Sequence, residues 1–128
     1  MEPHEYAGSL KKADELRHRT KNFAIRIVNL FRSLPRSPDA QTLGKQTLRS
    51  GTSVAANYRA VCRARSKAEF ISKMGIVVEE ADETVFWLEI LTETGVVRAE
   101  RAEDLQKEAN ELLAIFSASL RTAKRGRQ

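Results

Sequence analysis

The tetrapeptide Ser66-Lys67-Ala68-Glu69 constrains the fold of this 128-residue chain more than any other stretch. It has the form of a capping box: the Ser66 hydroxyl can accept from the Glu69 amide while the Glu69 carboxylate turns back to the Ser66 N–H, so a helix starts here. Apolar residues recur at helical spacing on both sides, with Leu43, Leu48, Val54, Tyr58 and Val61 before the break and Phe70, Met74, Val77, Ala81, Val85, Leu88 and Leu91 after it. Two long helices meet at Ser66, and the second runs back along the first.

Punctuation of the same kind marks the outer helices. Leu16, Phe23, Ile27, Leu30, Phe31 and Leu34 follow steps of three, four and seven, which predicts a helix from near Leu10 with one buried stripe. Pro35 stops it, because proline cannot donate to the preceding turn and disfavours helical backbone in the residue before it. Ser37 followed by Pro38 is an N-cap with proline at the first helical position. Gly95 ends the third helix as a left-handed stop, and Leu105, Ala109, Leu112, Phe116, Leu120 and Ala123 define a fourth. Helices joined by loops of a few residues lie antiparallel to their neighbours. The expected fold is all-α, an antiparallel up-down-up-down four-helix bundle with short loops. One domain spans residues 1–128, with a flexible arm at 1–8 and a basic tail at 122–128; the length supports one core and not two.

Two features bear on packing. Gly51 stands inside the second helix among Ser50, Ser53, Ala55, Ala56 and Ala60, where glycine costs about 1 kcal/mol relative to alanine. Its presence predicts that another backbone approaches closely. The third helix carries a further apolar set, Ile71, Val78 and Trp87 with Ile76 and Ile90 to the sides, and this extra width implies a subunit contact.

The net charge of +5 is segregated along the chain. Residues 36–73 hold eight Lys and Arg against two acidic residues, whereas residues 74–111 hold three against eleven. Folding about Ser66 is expected to set Arg49, Arg59 and Arg63 alongside Glu83, Asp82 or Glu79, and Glu69 respectively. Both ends are basic, the first through Lys11, Lys12, Arg17, Arg19, Lys21, Arg26 and Arg32, the last through Arg121, Lys124, Arg125 and Arg127. Such ends attract polyanions. The single cysteine, Cys62, excludes an internal disulfide. No signal-peptide core is present, and no apolar run approaches the roughly 20 residues that span a bilayer. A cytoplasmic protein without a membrane partner is expected.

Catalytic chemistry finds little support. Di-iron bundles need Glu-x-x-His from each of two helices, and the only histidines are His4 and His18, of which His18 alone follows a glutamate by three, in Glu15-Leu16-Arg17-His18. No metal or cofactor is expected. Cys62 lies among Arg59, Arg63 and Arg65, which would lower a thiol pKa, but no histidine can be set beside it, and it reads as a packing residue. Ser50-Gly51-Thr52-Ser53 lacks the strand and the Lys-Ser/Thr ending of a phosphate loop. No catalytic residue is assigned. The candidate nucleic-acid contacts are Arg59, Arg63, Arg65, Lys67 and Lys73, then Lys124, Arg125 and Arg127 of the tail. No helix-turn-helix spacing, zinc-ligand set or aromatic strand motif accompanies them to read sequence. The alternative is a protein-interaction or scaffold module whose basic surface only solubilises it.

The stretch from Arg49 to Leu91 resembles a bacterial four-helix-bundle family encoded in intervening sequences of large-subunit ribosomal RNA genes. The residues that carry the resemblance are Arg49-Ser50, Ala56-Asn57-Tyr58, Ser66-Lys67-Ala68-Glu69-Phe70-Ile71, Glu80-Ala81, Glu83-Thr84 and Trp87-Leu88. Where that family often has an acidic residue after Asn-Tyr, this chain has Arg59-Ala60. The resemblance implies a bundle that assembles as a ring, typically a homopentamer, with no established enzymatic activity. Related proteins are basic accessory factors of diversity-generating retroelements, so it further implies nucleic acid and a reverse transcriptase as partners.

Overall fold

A computed structural model describes residues 10–126, which form four helices: α1 (Leu10–Arg32), α2 (Pro38–Val61), α3 (Lys67–Glu93) and α4 (Ala99–Arg125). They pack as the antiparallel four-helix bundle that the periodicity predicts. Each helix packs extensively on its neighbour in sequence, while α1 meets α4 over a much smaller area. The arm at 1–8 lies outside the described residues.

Local chemistry sets the boundaries. At the end of α1 the Ser33 and Leu34 amides reach back only three residues, to Leu30 and Phe31 at 3.0 and 3.1 Å, before Pro35. Ser37 adopts the extended backbone of an N-cap ahead of Pro38, but its hydroxyl makes no capping bond to the helix. It turns instead to the Asp39 carboxylate, whose pKa is lowered chiefly by that hydrogen bond. Half of the expected box forms at α3: the Glu69 amide donates to the Ser66 hydroxyl at 3.0 Å. The returning Glu69 carboxylate accepts from the Arg65 N–H at 3.4 Å, not from Ser66, and its other oxygen faces Lys73 at 3.7 Å. Gly95 has φ +77°, the left-handed stop expected, and the Val97 amide closes the turn on the Leu91 carbonyl at 3.0 Å.

The stripes converge on a core of Phe23, Ile27, Val54, Tyr58, Phe70, Met74, Leu88, Leu91, Leu112 and Phe116, each essentially without solvent contact. Phe31, Leu43, Leu48, Val85 and Leu120 are only half-buried at its margin. Tyr58 and Phe116 stack obliquely with ring centroids 5.0 Å apart, joining α2 to α4. Close approach at Gly51 occurs, but the neighbour is a side chain rather than a backbone. A Cβ there would lie 2.8 and 2.9 Å from the two Cγ atoms of Ile27 on α1. Ile27 is β-branched and broad near its backbone, so only a residue without a side chain accommodates it at this helix separation.

The narrow seam between α1 and α4 is closed by charge. Arg19 donates from Nε to Glu108 Oε2 at 2.8 Å and from Nη2 to Glu108 Oε1 at 2.7 Å, with a third bond to Glu111 at 3.1 Å. The Glu108 hydrogen bond is the main cause that raises the Arg19 pKa above its ordinary value. No helix among the described residues is long and apolar enough to cross a membrane.

Candidate functional site

The bundle topology gathers the basic residues at one end. The start of α1, the end of α2, the Cys62–Ser66 turn, the start of α3 and the end of α4 all lie there. Between α1 and α2 runs an open groove of about 620 Å³, with Ala24, Ala55 and Ala56 among its lining and Ile25 and Val28 beside them. Arg17, His18, Lys21, Arg59 and Arg63 line its basic half. A second concavity of about 580 Å³ shares Ala56, Arg59 and Arg63 and continues to Arg65, Glu69 and Lys73.

Four of the residues singled out from the sequence, Arg59, Arg63, Arg65 and Lys73, are therefore brought together on adjoining concave surfaces. Lys67 is not with them. Its ammonium lies against Gly126, where an added Cβ would be 2.7 Å from Nζ. The carbonyl end of α4 carries partial negative charge, which suits a cation. Lys124 and Arg125 are exposed at that same helix end, and Arg127 lies outside the described residues.

The expected pairing of α2 with α3 holds in part. Arg49 bonds Glu80 at 3.1 Å and pairs with Glu83. Arg59 and Arg63 make no ion pair with Asp82, Glu79 or Glu69, and none among the described residues. Antiparallel register explains this. Arg59 stands seven residues before Ser66, so its counterpart is Lys73, seven after, and Glu69 is already shared by Lys73 and the Arg65 amide. Arg17 and Lys21 join the cluster from α1, a juxtaposition that the sequence reading missed. Arg17 is partnered by Asp14 on its own helix.

The small residues of α2 also divide. Ser50 and Gly51 face inward, whereas Ala55, Ala56 and Ala60 are partly or fully exposed and line the two concavities. One helical turn takes 3.6 residues, so Ala56 lies far around the helix from Gly51. The periodicity carried that signal.

The opposite sign occupies the outer side of α3. Glu79, Asp82, Glu83, Val85, Phe86 and Glu89 surround a depression of about 450 Å³. Phe86 is 50 % exposed there, and its ring meets the edge of Trp87 at a centroid distance of 5.0 Å. The indole N–H donates to Glu83 Oε1 at 3.1 Å. That bond first, then Arg49, lowers the Glu83 pKa.

Cys62 is half-buried against the core. Burial pushes its thiol pKa up, outweighing the Tyr58 hydroxyl, Arg17 and Arg63, which act in the opposite direction. The activation expected from Arg59, Arg63 and Arg65 is thus reversed by desolvation. The Tyr58 hydroxyl is buried without an oxygen or nitrogen partner and faces that thiol. Among the described residues no group of three or more His, Cys, Asp or Glu is placed to hold a metal ion.

Comparison with known proteins places this architecture. The family model described as 23S rRNA-intervening sequence protein matches residues 12–118. A crystal structure of a protein of unknown function from the S23 ribosomal protein family of Bacteroides thetaiotaomicron is similar, with 35 % identity and a TM-score of 0.79. The match covers 86 % of this chain and 98 % of that one. No curated protein matches significantly. With the four-helix bundle, the α2–α3 motif residues and a family match over most of its length, this chain belongs to the 23S rRNA-intervening sequence protein family.

Proposed function

We propose that the protein is a non-enzymatic, ring-forming bundle that binds RNA or DNA through its basic end. The observation that carries this reading is the convergence of Arg59, Arg63, Arg65 and Lys73 with Arg17 and Lys21 on adjoining concavities. Lys21, Arg59, Arg63 and Arg65 make no ion pair among the described residues, which keeps their charge available to phosphate. Although Asp14 and Glu69 also line the concavities, the basic residues outnumber them there, which focuses a positive field. Ring assembly, as a pentamer by family resemblance, would repeat the surface around an axis and multiply the contacts available to one nucleic-acid strand. Arginines and lysines on open concavities suit contacts to phosphate, so the binding proposed is to the backbone and sequence-tolerant.

The test is anisotropy of labelled single-stranded and duplex oligonucleotides at two salt concentrations. Neutralising about four phosphates predicts a loss of affinity of about a hundredfold between roughly 50 and 200 mM salt. Absence of binding at the lower salt overturns the reading and leaves the protein-interaction module in its place.

A further inference from the structure

Only three large hydrophobic side chains are highly exposed among the described residues: Ile25 at 49 %, Ile76 at 42 % and Phe86 at 50 %. Two of them lie in charged depressions, while Ile76 lines neither. Ile25 lies in the α1–α2 groove beside basic residues. Phe86 stands on the outer side of α3 among acidic residues. Ile25 and Phe86 are thus set among charges of mainly opposite sign, Asp14 being the one acidic residue in the groove.

We infer that the outer ridge of α3, centred on Phe86, docks into the α1–α2 groove of a second copy of this chain. Phe86 seats against Ile25, Val28 and the alanine lining, while Glu79 and Asp82 meet Lys21 and Arg59 of the neighbouring copy. The dimensions agree. At 1.5 Å per residue the ridge from Glu79 to Glu89 is about 15 Å long, and the groove wall from Arg17 to Val28 is about 17 Å. Alanines at 24, 55 and 56 add little bulk to the lining of this groove of about 620 Å³, which leaves room for an aromatic ring. A phosphate backbone would use the basic rim of this groove but gains nothing from its apolar part, whereas a phenyl ring flanked by carboxylates uses both. Charge at the rim steers the encounter and the buried apolar centre holds it.

Ridge and groove share no residue, so one subunit can offer both at once. Contacts between unlike surfaces are head-to-tail and close into a ring when the rotation permits. This rests on the ring-forming part of the proposed function and gives it an interface. It also withdraws Lys21 and Arg59 from the phosphate-binding surface named above and gives them to the neighbour. Arg65, Lys124 and Arg125 are left exposed to phosphate, while Lys73 is shared with Glu69 and Lys67 lies against the end of α4.

The experiment uses the full chain and two variants, Phe86→Asp on the ridge and Lys21→Glu/Arg59→Glu in the groove, with mass read by light scattering and folding by circular dichroism. The wild type is expected as a multi-chain species and each variant as a folded single chain. Mixed in equal amounts, the variants recover a two-chain mass and no more, because one intact ridge then meets one intact groove. Phe86→Ser and Ile25→Ser, which add no charge, shift the mass in the same direction. Should the wild type be a single chain, the ring reading falls and this inference with it. If the wild type is multi-chain and both variants keep its mass, the ring stands but this interface is overturned. A mixture that stays single-chain overturns the head-to-tail arrangement. A groove variant that keeps its mass but loses oligonucleotide binding gives the groove to the polyanion and likewise overturns it.

Discussion

The hydroxyls of Ser50 on α2 and Thr84 on α3 lie 3.0 Å apart, both wholly buried, and share a hydrogen bond across the helix pair. One residue before each, Arg49 and Glu83 pair at the surface. The motif positions that carry the family resemblance therefore meet one another in space and fix the register of α2 on α3. Thr84 also reaches the Glu80 carbonyl at 2.7 Å, whereas Ser50 has only a 3.4 Å alternative at Thr47. Thr84→Val should leave the Ser50 hydroxyl poorly satisfied and cost about 1–3 kcal/mol in urea unfolding. Ser50→Ala in the Thr84→Val background should recover part of that loss, and an additive pair would refute the coupling.

Gly51→Ala sets two effects against each other. Helix propensity favours alanine by about 1 kcal/mol, but the new methyl group would overlap Ile27, which typically costs about 1–3 kcal/mol. A net loss of stability is expected. In an Ile27→Ala background the same change should turn neutral or stabilising, a sign reversal visible in a double-mutant cycle.

Trp87 is the only tryptophan and hydrogen-bonds Glu83, so its fluorescence reports on that carboxylate. The folded-state pKa of Glu83 is depressed below that of an ordinary glutamate, first by Trp87 and then by Arg49. Its stabilising contribution is therefore full above the unfolded value and is lost as pH falls through the lower folded value. An emission change with a midpoint below that of an ordinary glutamate is expected, absent in Glu83→Gln and shifted upward in Arg49→Gln. A wild-type midpoint at or above the ordinary glutamate value would contradict the assignment.

Arg19→Ala removes both bonds to Glu108 and leaves Glu108 and Glu111 without their shared cation. Because the pair is only partly buried, the expected loss is about 1–2 kcal/mol. Salt should narrow the difference between wild type and variant, as measured by urea unfolding at two ionic strengths.

Elements and boundaries were readable because each depends on neighbours in sequence. Pro35, Ser66 and Gly95 act within a turn of themselves, and the apolar stripes within one helix. The site was harder. Arg59, Arg63, Arg65 and Lys73 were legible as a basic block, since they flank one turn. Arg17 and Lys21 were not, because they come from α1, and no periodicity reveals which residues of two helices border one groove. Arg19 illustrates the same limit: its partner is 89 positions away. Lys67, close in sequence to the cluster, leaves it because the start of a helix turns successive side chains in different directions. The fate of Cys62 depended on burial, which local charge cannot disclose.

The unequal helix contacts have a kinetic meaning. Each extensive interface joins consecutive helices across a loop of a few residues, so little chain entropy is lost before each rewards its formation, and low contact order favours rapid folding. Only the seam between α1 and α4 asks the two ends of the bundle to find each other. Arg19 and Glu108 stand at that seam, so the ion pair joins the two parts of the chain whose meeting closes the longest loop in the bundle.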